Sequence, residues 1–312
     1  MPPTLSQINP PLIHPKLIEL EQTLAKSVLT KIIDPFLEKH QVELWIKRDD
    51  LLHPVISGNK WRKLKYNLDH ALSLSADTII SMGGAYSNHL HALAYIGKTL
   101  NLKTIGIIRG ERPAPLTPTL LDMEGWGMEL RFVSRTDYRH YRNYKHWHDL
   151  PNIKPNEYWL PEGGASTLAL KGVAELVDEI DIDYDTLCVA CGTGATMAGL
   201  ISAVPGETNV LGFAVLKNAA FLRLDVQSLL STNCNNWEIY LDYHFGGFAK
   251  LKPELALFMR DFEQKTAIPL EPVYTGKMLY GIYNLIAKGN FKPGQRIIAL
   301  HTGGLQGNRG YA

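Results

Sequence analysis

The chain has 312 residues, of which 45% are hydrophobic and 20% charged, a balance that excludes disorder, collagen and coiled coil. With 32 basic and 31 acidic residues the net charge is +1, so no overall field directs the protein to nucleic acid or to a membrane surface. Three cysteines and an N-terminus without signal-peptide features predict a reducing, cytoplasmic location.

Short apolar runs typical of strands alternate with helical patterns along most of the chain. Strands are predicted at 42–47, 78–82, 104–109, 129–133, 187–190, 210–215 and 296–300. Helices are predicted around Leu64–Leu72 and over 87–100, 116–126, 169–180 and 195–204. This alternation predicts α/β architecture with parallel sheets between helices, and ligand sites beyond the carboxyl ends of the strands. The uncharged residues 186–206 contain Pro, Gly and Thr, which favours a strand, a turn and a buried helix over a membrane span.

Lys60 lies at a loop-to-helix junction in SGNKWRKLKYNL (57–68). One interpretation is a solvated basic helix start that also includes Arg62, Lys63 and Lys65. Because cations at a helix N-terminus oppose the macrodipole, a lysine held there for chemistry is the alternative.

In SMGGAYSNHLHALA (81–94), a strand ends in Gly83-Gly84 and Ser87-Asn88-His89 open a helix. Ser87 can be an N-cap, and the free N–H groups can bind an anion such as a carboxylate. The histidines lack the spacing of a metal site, so no metal is predicted.

The turn CGTGAT follows a predicted strand and precedes an apolar helix. Its glycines and threonines form a cup of donors suited to one phosphate. Met197 stands where a dinucleotide fingerprint needs glycine, and no Gly-Lys of a P-loop follows. Cys188 and Cys191 are predicted to pack rather than bind metal. The residues of this turn are Cys191, Gly192, Thr193, Gly194, Ala195 and Thr196.

Three further segments carry ambiguous patterns. EPVYTGKM (271–278) and ALHTGG (299–304) each end an apolar run in a Thr-Gly turn and are compatible with plain turns around a core tyrosine. Residues 134–150 interleave basic and aromatic side chains, which can indicate nucleic-acid stacking. Their i, i+3 spacing and the neutral overall charge favour an amphipathic helix. No nucleic-acid partner is therefore predicted.

A lysine, a phosphate cup, an anion-binding helix start and a tyrosine together suggest pyridoxal 5'-phosphate as cofactor. SGNKWRKL, GGAYSNH, WLPEGGAS, ACGTGATMAGL, PVYTGK and HTGG occur in this order. Together they resemble the D-cysteine desulfhydrase / 1-aminocyclopropane-1-carboxylate deaminase family of fold type II pyridoxal-phosphate enzymes. The resemblance implies two domains, each a mostly parallel sheet flanked by helices, with 1–63 and 161–312 in the larger and 64–160 in the smaller. It also implies a homodimer.

The resemblance also implies residue roles at the cofactor. Lys60 carries the cofactor as a Schiff base and, once released, moves the α-proton. Residues 191–196 hold the phosphate, and Thr302 faces the pyridine nitrogen. Asn88 lies near the ring hydroxyl of the cofactor.

For the small amino-acid substrate, the resemblance assigns carboxylate binding to Ser87 and Asn88, with His89 beside them, and an acid/base or contact role to Tyr274. Deaminases of this family have Gln and Glu where this chain has His89 and Thr275, which favours D-cysteine conversion to pyruvate, sulfide and ammonia. Phe248 replaces a second family tyrosine, for which Tyr243 is a candidate substitute. The alternatives are a cyclopropane-acid deaminase, a D-serine dehydratase or racemase, and a non-catalytic binding protein.

Overall fold

The computed structural model describes residues 13–311, and its strands form two sheets. The six-stranded sheet has the order β1-β2-β10-β7-β8-β9, and only the β1–β2 pair is antiparallel. Its strands are β1 (Leu29–Lys31), β2 (Glu43–Lys47), β7 (Thr186–Cys191), β8 (Asn209–Ala214), β9 (Trp237–Tyr240) and β10 (Arg296–Leu300). The four-stranded sheet is parallel throughout, with the order β5-β4-β3-β6. Its strands are β3 (Thr78–Gly83), β4 (Lys103–Arg109), β5 (Glu129–Val133) and β6 (Glu157–Leu160).

Eleven α-helices accompany the sheets within residues 13–311. They are α1 (Pro15–Gln22), α2 (Pro35–Lys39), α3 (Lys60–Ser73), α4 (Asn88–Leu100), α5 (Pro118–Gly125), α6 (Arg135–Tyr141), α7 (Thr167–Asp178), α8 (Ala195–Ala203), α9 (Phe221–Leu229), α10 (Pro253–Thr266) and α11 (Thr275–Ala287). Every residue of β3 and of β7 is buried, as expected for parallel strands covered on both faces. The predicted α/β class with mostly parallel sheets is confirmed.

Residues 186–206 form β7, a glycine turn and α8, as the sequence indicates. None of the helices described within residues 13–311 is long and apolar enough to cross a bilayer. The strands of the smaller sheet fall within 64–160 and those of the larger sheet outside it. The domain boundaries themselves stay a prediction.

The prediction of one helix over 134–150 is correct only for α6, and turns follow Tyr141. These turns let the Trp147 ring stack on Tyr158 of β6, with centroids 5.8 Å apart. Tyr141 and Tyr144 pack against Trp159 of the same strand. These aromatic side chains of residues 134–150 therefore pack in the core beside the smaller sheet.

Three loops at the carboxyl ends of strands carry the motifs. The loop after β3 leads into α4, the 191–196 turn joins β7 to α8, and a turn over 301–304 follows β10. Because the carboxyl ends of parallel strands share one edge, each sheet presents its motif loops together.

Candidate active site

Lys60 is the first residue of α3 and is held by the loop before it. Gly58 adopts a left-handed backbone (φ +70°), and a Cβ there would lie 1.7 Å from the Thr302 carbonyl oxygen. The lysine loop therefore rests directly on the 301–304 turn. Lys60 Nζ donates to Asn59 Oδ1 at 2.6 Å, and Asn59 Nδ2 donates to Thr196 Oγ1 at 2.7 Å. These two bonds connect the amine to the 191–196 turn.

The environment of Lys60 makes its amine reactive near neutral pH. Burial lowers the pKa of Lys60 to about 8, while the nearby Glu271 charge acts in the opposite direction. An ordinary lysine near pKa 10.4 is almost wholly protonated at pH 7 and cannot attack a carbonyl.

The 191–196 turn is shaped to receive a compact anion. Gly194 is left-handed (φ +76°) immediately before α8, whose first N–H groups have no intrahelical acceptor. A Cβ at Gly192 would lie 3.1 Å from Tyr274 Cε1, so the missing side chain leaves room beneath the tyrosine ring. Burial raises the pKa of Cys191 to about 12, and this thiol is no nucleophile at neutral pH.

Lys63 is a site residue that the sequence interpretation missed. A solvated basic helix start is wrong, because Arg62, Lys63 and Lys65 are all buried. A Cβ at Gly163 would lie 3.7 Å from both Lys63 Nζ and Thr193 Oγ1, so amine and hydroxyl converge at the turn. The i, i+3 spacing from Lys60 was the available signal for a shared helix face.

The Lys63 amine has no hydrogen bond or ion pair to any residue from 13 to 311. Burial lowers its pKa to about 7, and the Lys60 charge adds to the effect. A buried amine without a carboxylate either loses its proton or pairs with an anion from outside the chain. Together with the glycine turn, it fits one phosphate group.

Ser87 and Asn88 stand at the start of α4. Ser87 Oγ accepts from Leu90 N at 3.2 Å and caps the helix, which leaves its hydroxyl proton free to donate. Asn88 Nδ2 lies against the 301–304 turn, 2.4 Å from where a Cβ at Gly304 would be. The structure thus brings the predicted carboxylate-binding pair beside the turn that contains Thr302.

His89 points into the protein between β3 and the 163–164 turn. Its Nε2 lies 2.9 Å from Ser81 Oγ, whose hydroxyl donates to Leu160 O at 2.8 Å. Ser81 therefore accepts from Nε2–H, and Nδ1 has no partner among residues 13–311. Burial, followed by the Lys63 charge, places the pKa of His89 well below its usual value. The neutral ring contacts Gly164.

Tyr274 immediately precedes α11 and is positioned by Glu271. This buried carboxylate accepts backbone N–H bonds from Val273, Tyr274 and Thr275 at 2.6–2.7 Å. Burial, reinforced by the Glu271 charge, raises the pKa of Tyr274, so the phenol keeps its proton at neutral pH. Sequence reasoning missed Glu271, because it lies three residues before the N-cap Tyr274, whereas the capping box has its carboxylate inside the first turn of the helix.

Phe248 lies against Tyr274, with ring centroids 6.0 Å apart in an edge-to-face arrangement. Tyr243 does not replace the missing phenol, because its hydroxyl donates to Asn284 Oδ1 at 2.9 Å and its ring packs on Phe213 in the larger sheet. Tyr274 is thus the phenol placed over the 191–196 turn.

Thr302 is buried and held by its neighbours in the 301–304 turn. His301 Nδ1 accepts from Gly303 N at 3.2 Å, and His301 Nε2 donates to Pro269 O at 2.8 Å. Both ring nitrogens are occupied, so the imidazole is neutral and fixes the turn.

This arrangement defines a site for a phosphate-bearing aldehyde. An amine of lowered pKa, a second amine without a partner in the described part of the chain and a glycine turn lie within one cluster. The family model described as pyridoxal-phosphate dependent enzyme matches residues 30–303, and the chain belongs to that family. The predicted cofactor and enzyme class are confirmed.

Two relatives and one solved structure extend this result. The chain is 33% identical to a putative 1-aminocyclopropane-1-carboxylate deaminase of Pyrococcus horikoshii, over 86% of each chain. It is 32% identical to the bifunctional D-cysteine desulfhydrase/1-aminocyclopropane-1-carboxylate deaminase of Arabidopsis thaliana, over 85% of this chain and 73% of the relative. A solved homologue of 1-aminocyclopropane-1-carboxylate deaminase superposes with a TM-score of 0.78 and 30% identity, over 96% of this chain and 98% of the other. The predicted fold type II class and family resemblance are confirmed.

Proposed function

We propose that the protein is a deaminating lyase that converts D-cysteine and water into pyruvate, sulfide and ammonia. The observation that carries the proposal is the Lys60 amine, whose pKa is about 8 and which is bonded through Asn59 to Thr196 of the glycine turn. Names of the relatives include both D-cysteine desulfhydrase and cyclopropane-acid deaminase.

Residues on three sides would hold the cofactor. Lys60 would hold its aldehyde carbon, and the 191–196 turn with Lys63 would hold its phosphate. Thr302 would face the ring nitrogen, and Asn88 would lie near the ring hydroxyl. When bound, pyridoxal phosphate supplies an electron sink for a carbanion at the substrate α-carbon.

Side chains of this site would then position the substrate and move its α-proton. Ser87 Oγ, Asn88 Nδ2 and the free N–H groups of α4 bind the substrate carboxylate. Lys60 Nζ, as an unprotonated amine, takes the proton from the α-carbon. Tyr274 Oη keeps its proton at neutral pH and can donate a hydrogen bond to the departing sulfur, which leaves as an anion.

Phe248 favours elimination over ring opening. A thiol leaves readily as an anion, because its pKa is about 8.5. Opening a cyclopropane ring instead leaves a carbon that must be protonated, which demands more from acid groups nearby. Because a phenyl ring, Phe248, lies beside Tyr274 where the family has a second tyrosine, Tyr274 lacks a neighbouring phenol to help protonate that carbon.

The second candidate is 1-aminocyclopropane-1-carboxylate deaminase activity, which the names of both relatives include, the second together with D-cysteine desulfhydrase. Purified protein loaded with pyridoxal phosphate tests the two. We expect sulfide and pyruvate from D-cysteine at a kcat/KM above that for the cyclopropane acid, D-serine and L-cysteine. Faster release of 2-oxobutanoate from the cyclopropane acid would reverse the choice. A yellow protein that releases no 2-oxo acid from any of these would support a non-catalytic binding protein.

Location and assembly complete the proposal. The three cysteines are free, which supports a reducing, cytoplasmic compartment. A homodimer is proposed from the family resemblance. Light scattering of the cofactor-loaded protein tests the dimer, which a monomer mass at micromolar concentration would exclude.

A further inference from the structure

The segment 305–310, directly after the 301–304 turn, connects the two sheets across the candidate site. It follows β10 of the larger sheet and contacts α5, which packs on α4 beside the smaller sheet. Gln306 is its central residue: Thr119 Oγ1 donates to Gln306 Oε1 at 2.6 Å, and Gln306 Nε2 donates to Asn88 Oδ1 at 2.6 Å. Arg309 anchors the segment by an ion pair with Asp122 at 2.5 Å.

The direction of these bonds is fixed by Arg309. A guanidinium carries only donors, so the atom of Gln306 that Arg309 Nη2 meets at 3.2 Å must be the carbonyl oxygen. The Thr119 hydroxyl donates to the same oxygen. The Gln306 amide nitrogen must then face Asn88, and it can meet only the carbonyl oxygen there.

The orientation of Asn88 follows from this chain of bonds. With its Oδ1 occupied by Gln306, Asn88 directs its Nδ2 donor toward Gly304 and the 301–304 turn. No residue from 13 to 311 accepts a hydrogen bond from that Nδ2. An Asn amide rotated by half a turn would present an acceptor instead, with nearly the same shape.

We propose that Gln306 is a positioning residue that fixes the Asn88 amide with its donor facing the bound cofactor and substrate. The inference rests on the proposed function, because it assigns the Asn88 donor a use at that site. It adds that Asp122 and Arg309, which lie outside the site, fix the orientation of the Gln306 amide. Through Gln306 they also fix the orientation of the Asn88 amide.

Gln306→Glu separates positioning from packing. The carboxylate keeps the acceptor for Thr119 and gains charge for Arg309, but it cannot donate to Asn88. Asn88 then turns its Nδ2 to the carboxylate and its Oδ1 to the site. Gln306→Met loses the bonds of the amide to Thr119, Asn88, Arg309 and Tyr86. Asn308→Ala is the control within the same segment, since Asn308 Nδ2 donates to Leu270 O and not to Asn88.

The readouts are the pH titration of the visible absorption of the cofactor-loaded protein, KM and kcat, and Tm. For Gln306→Glu and Gln306→Met we expect the spectral titration to shift by about half to one pH unit, the scale of one neutral hydrogen bond. KM should rise about tenfold, more than kcat falls. Tm of Gln306→Glu should stay at or above wild type, and Asn308→Ala should keep the wild-type spectrum.

Two results would overturn the inference. A wild-type spectrum and KM in Gln306→Glu would show that the Asn88 orientation does not depend on Gln306. Equal spectral shifts in Asn308→Ala would reduce the effect to general loosening of the segment. Failure of the proposed function is distinct, because the wild-type protein would then release no sulfide and pyruvate from D-cysteine, whereas the spectral comparison of wild type with Gln306→Glu requires only bound cofactor.

Discussion

Two segments of this protein are rich in basic residues but differ in solvent exposure. The four basic residues of the first turns of α3 are largely removed from solvent, whereas four in and after α6 are exposed. We call the first group the buried set: Arg62, Lys63 and Lys65, which are buried, and Lys60, which is partly buried. The exposed set is Arg135, Arg139, Arg142 and Lys145. Local sequence alone does not separate them.

Carboxylates elsewhere in the chain account for two of the buried cations, and in the exposed set Arg142 also pairs with Glu162. Arg62 pairs with Asp49 and Glu179, and Lys65 with Glu175, so these cations are neutralised inside the protein. Lys60 and Lys63 have no carboxylate partner within residues 13–311. A buried cation without a counter-charge is costly unless a ligand supplies one, so the unpaired members of the buried set point to function.

The comparison can be tested first at Lys60, where we expect the largest effect. Lys60→Ala should lower D-cysteine turnover by at least about a thousandfold, because the nucleophilic amine and the base are lost together. Borohydride reduction followed by peptide mass mapping should find the adduct on Lys60 in wild type and none in the variant. Lys63→Ala is the matched control and should keep the adduct at Lys60. An adduct at Lys63 in wild type would show that Lys63, and not Lys60, forms the Schiff base with the cofactor.

Arg62 tests the neutralised half of the buried set. Arg62→Met leaves Asp49 fully buried without its partner, which should cost about 3–5 kcal/mol of unfolding free energy. Arg131→Met, which removes an exposed pair with Glu129, should change it by less than about 1 kcal/mol. Urea unfolding of both cofactor-loaded variants measures the difference. Similar midpoints would show that burial of the Arg62 pair contributes nothing.

Lys63 tests the unpaired half without altering the covalent link. Lys63→Met should weaken pyridoxal-phosphate binding by about tenfold to a hundredfold, through loss of one charge-assisted hydrogen bond. Pyridoxal, which has no phosphate, should bind the variant and wild type alike. Equilibrium dialysis with both ligands measures this, and Lys63→Arg should recover part of the loss. If the variant bound pyridoxal as much more weakly as it binds pyridoxal phosphate, Lys63 would not be a ligand of the phosphate.

The sequence predicted much of the fold but not every element. Alternating and continuous apolar runs identified β2, β7 and β10, since their side chains face a core. Edge strands such as β1 and β9 were missed, because they are short and only partly buried. Helix α11 was hidden behind the Thr-Gly turn of its own first residues.

The candidate site divides in the same way. Motifs with local chemistry, such as the 191–196 turn and Ser87-Asn88, could be recognised from spacing. Lys63 and Gln306 could not, because their roles depend on partners far along the chain: Gln306 contacts Asn88 across 218 positions. Glu271 has nearby partners, Val273, Tyr274 and Thr275, and was missed because it lies outside α11. The sequence shows that Gln306 and Asn88 are present, but only the structure shows that they are in contact.

The lowered pKa of Lys60 predicts how cofactor loading depends on pH. Only the unprotonated amine attacks the aldehyde, and with a pKa near 8 about one tenth of it is free at pH 7. The rate of reconstitution of cofactor-free protein should therefore rise almost tenfold from pH 6 to 7 and level off above 8. Stopped-flow absorbance measures it. A rate still rising steeply at pH 10 would mean an ordinary, solvated lysine.

The exposed set should show the smallest effects. Arg139 lies on α6, whose buried face is occupied by Tyr138, and its Nε donates to the Arg135 carbonyl oxygen one turn earlier on the same helix. Replacing Arg135 and Arg139 together with Gln should change the unfolding free energy by less than about 0.5 kcal/mol each and leave KM and kcat unaltered. Heparin retention at 50 mM salt should be negligible before and after the change, since solvated charges on a neutral protein make no continuous basic surface. Retention by wild type that is lost in the double variant would give this helix a nucleic-acid role, and the difference between the two basic segments would become one between two binding sites.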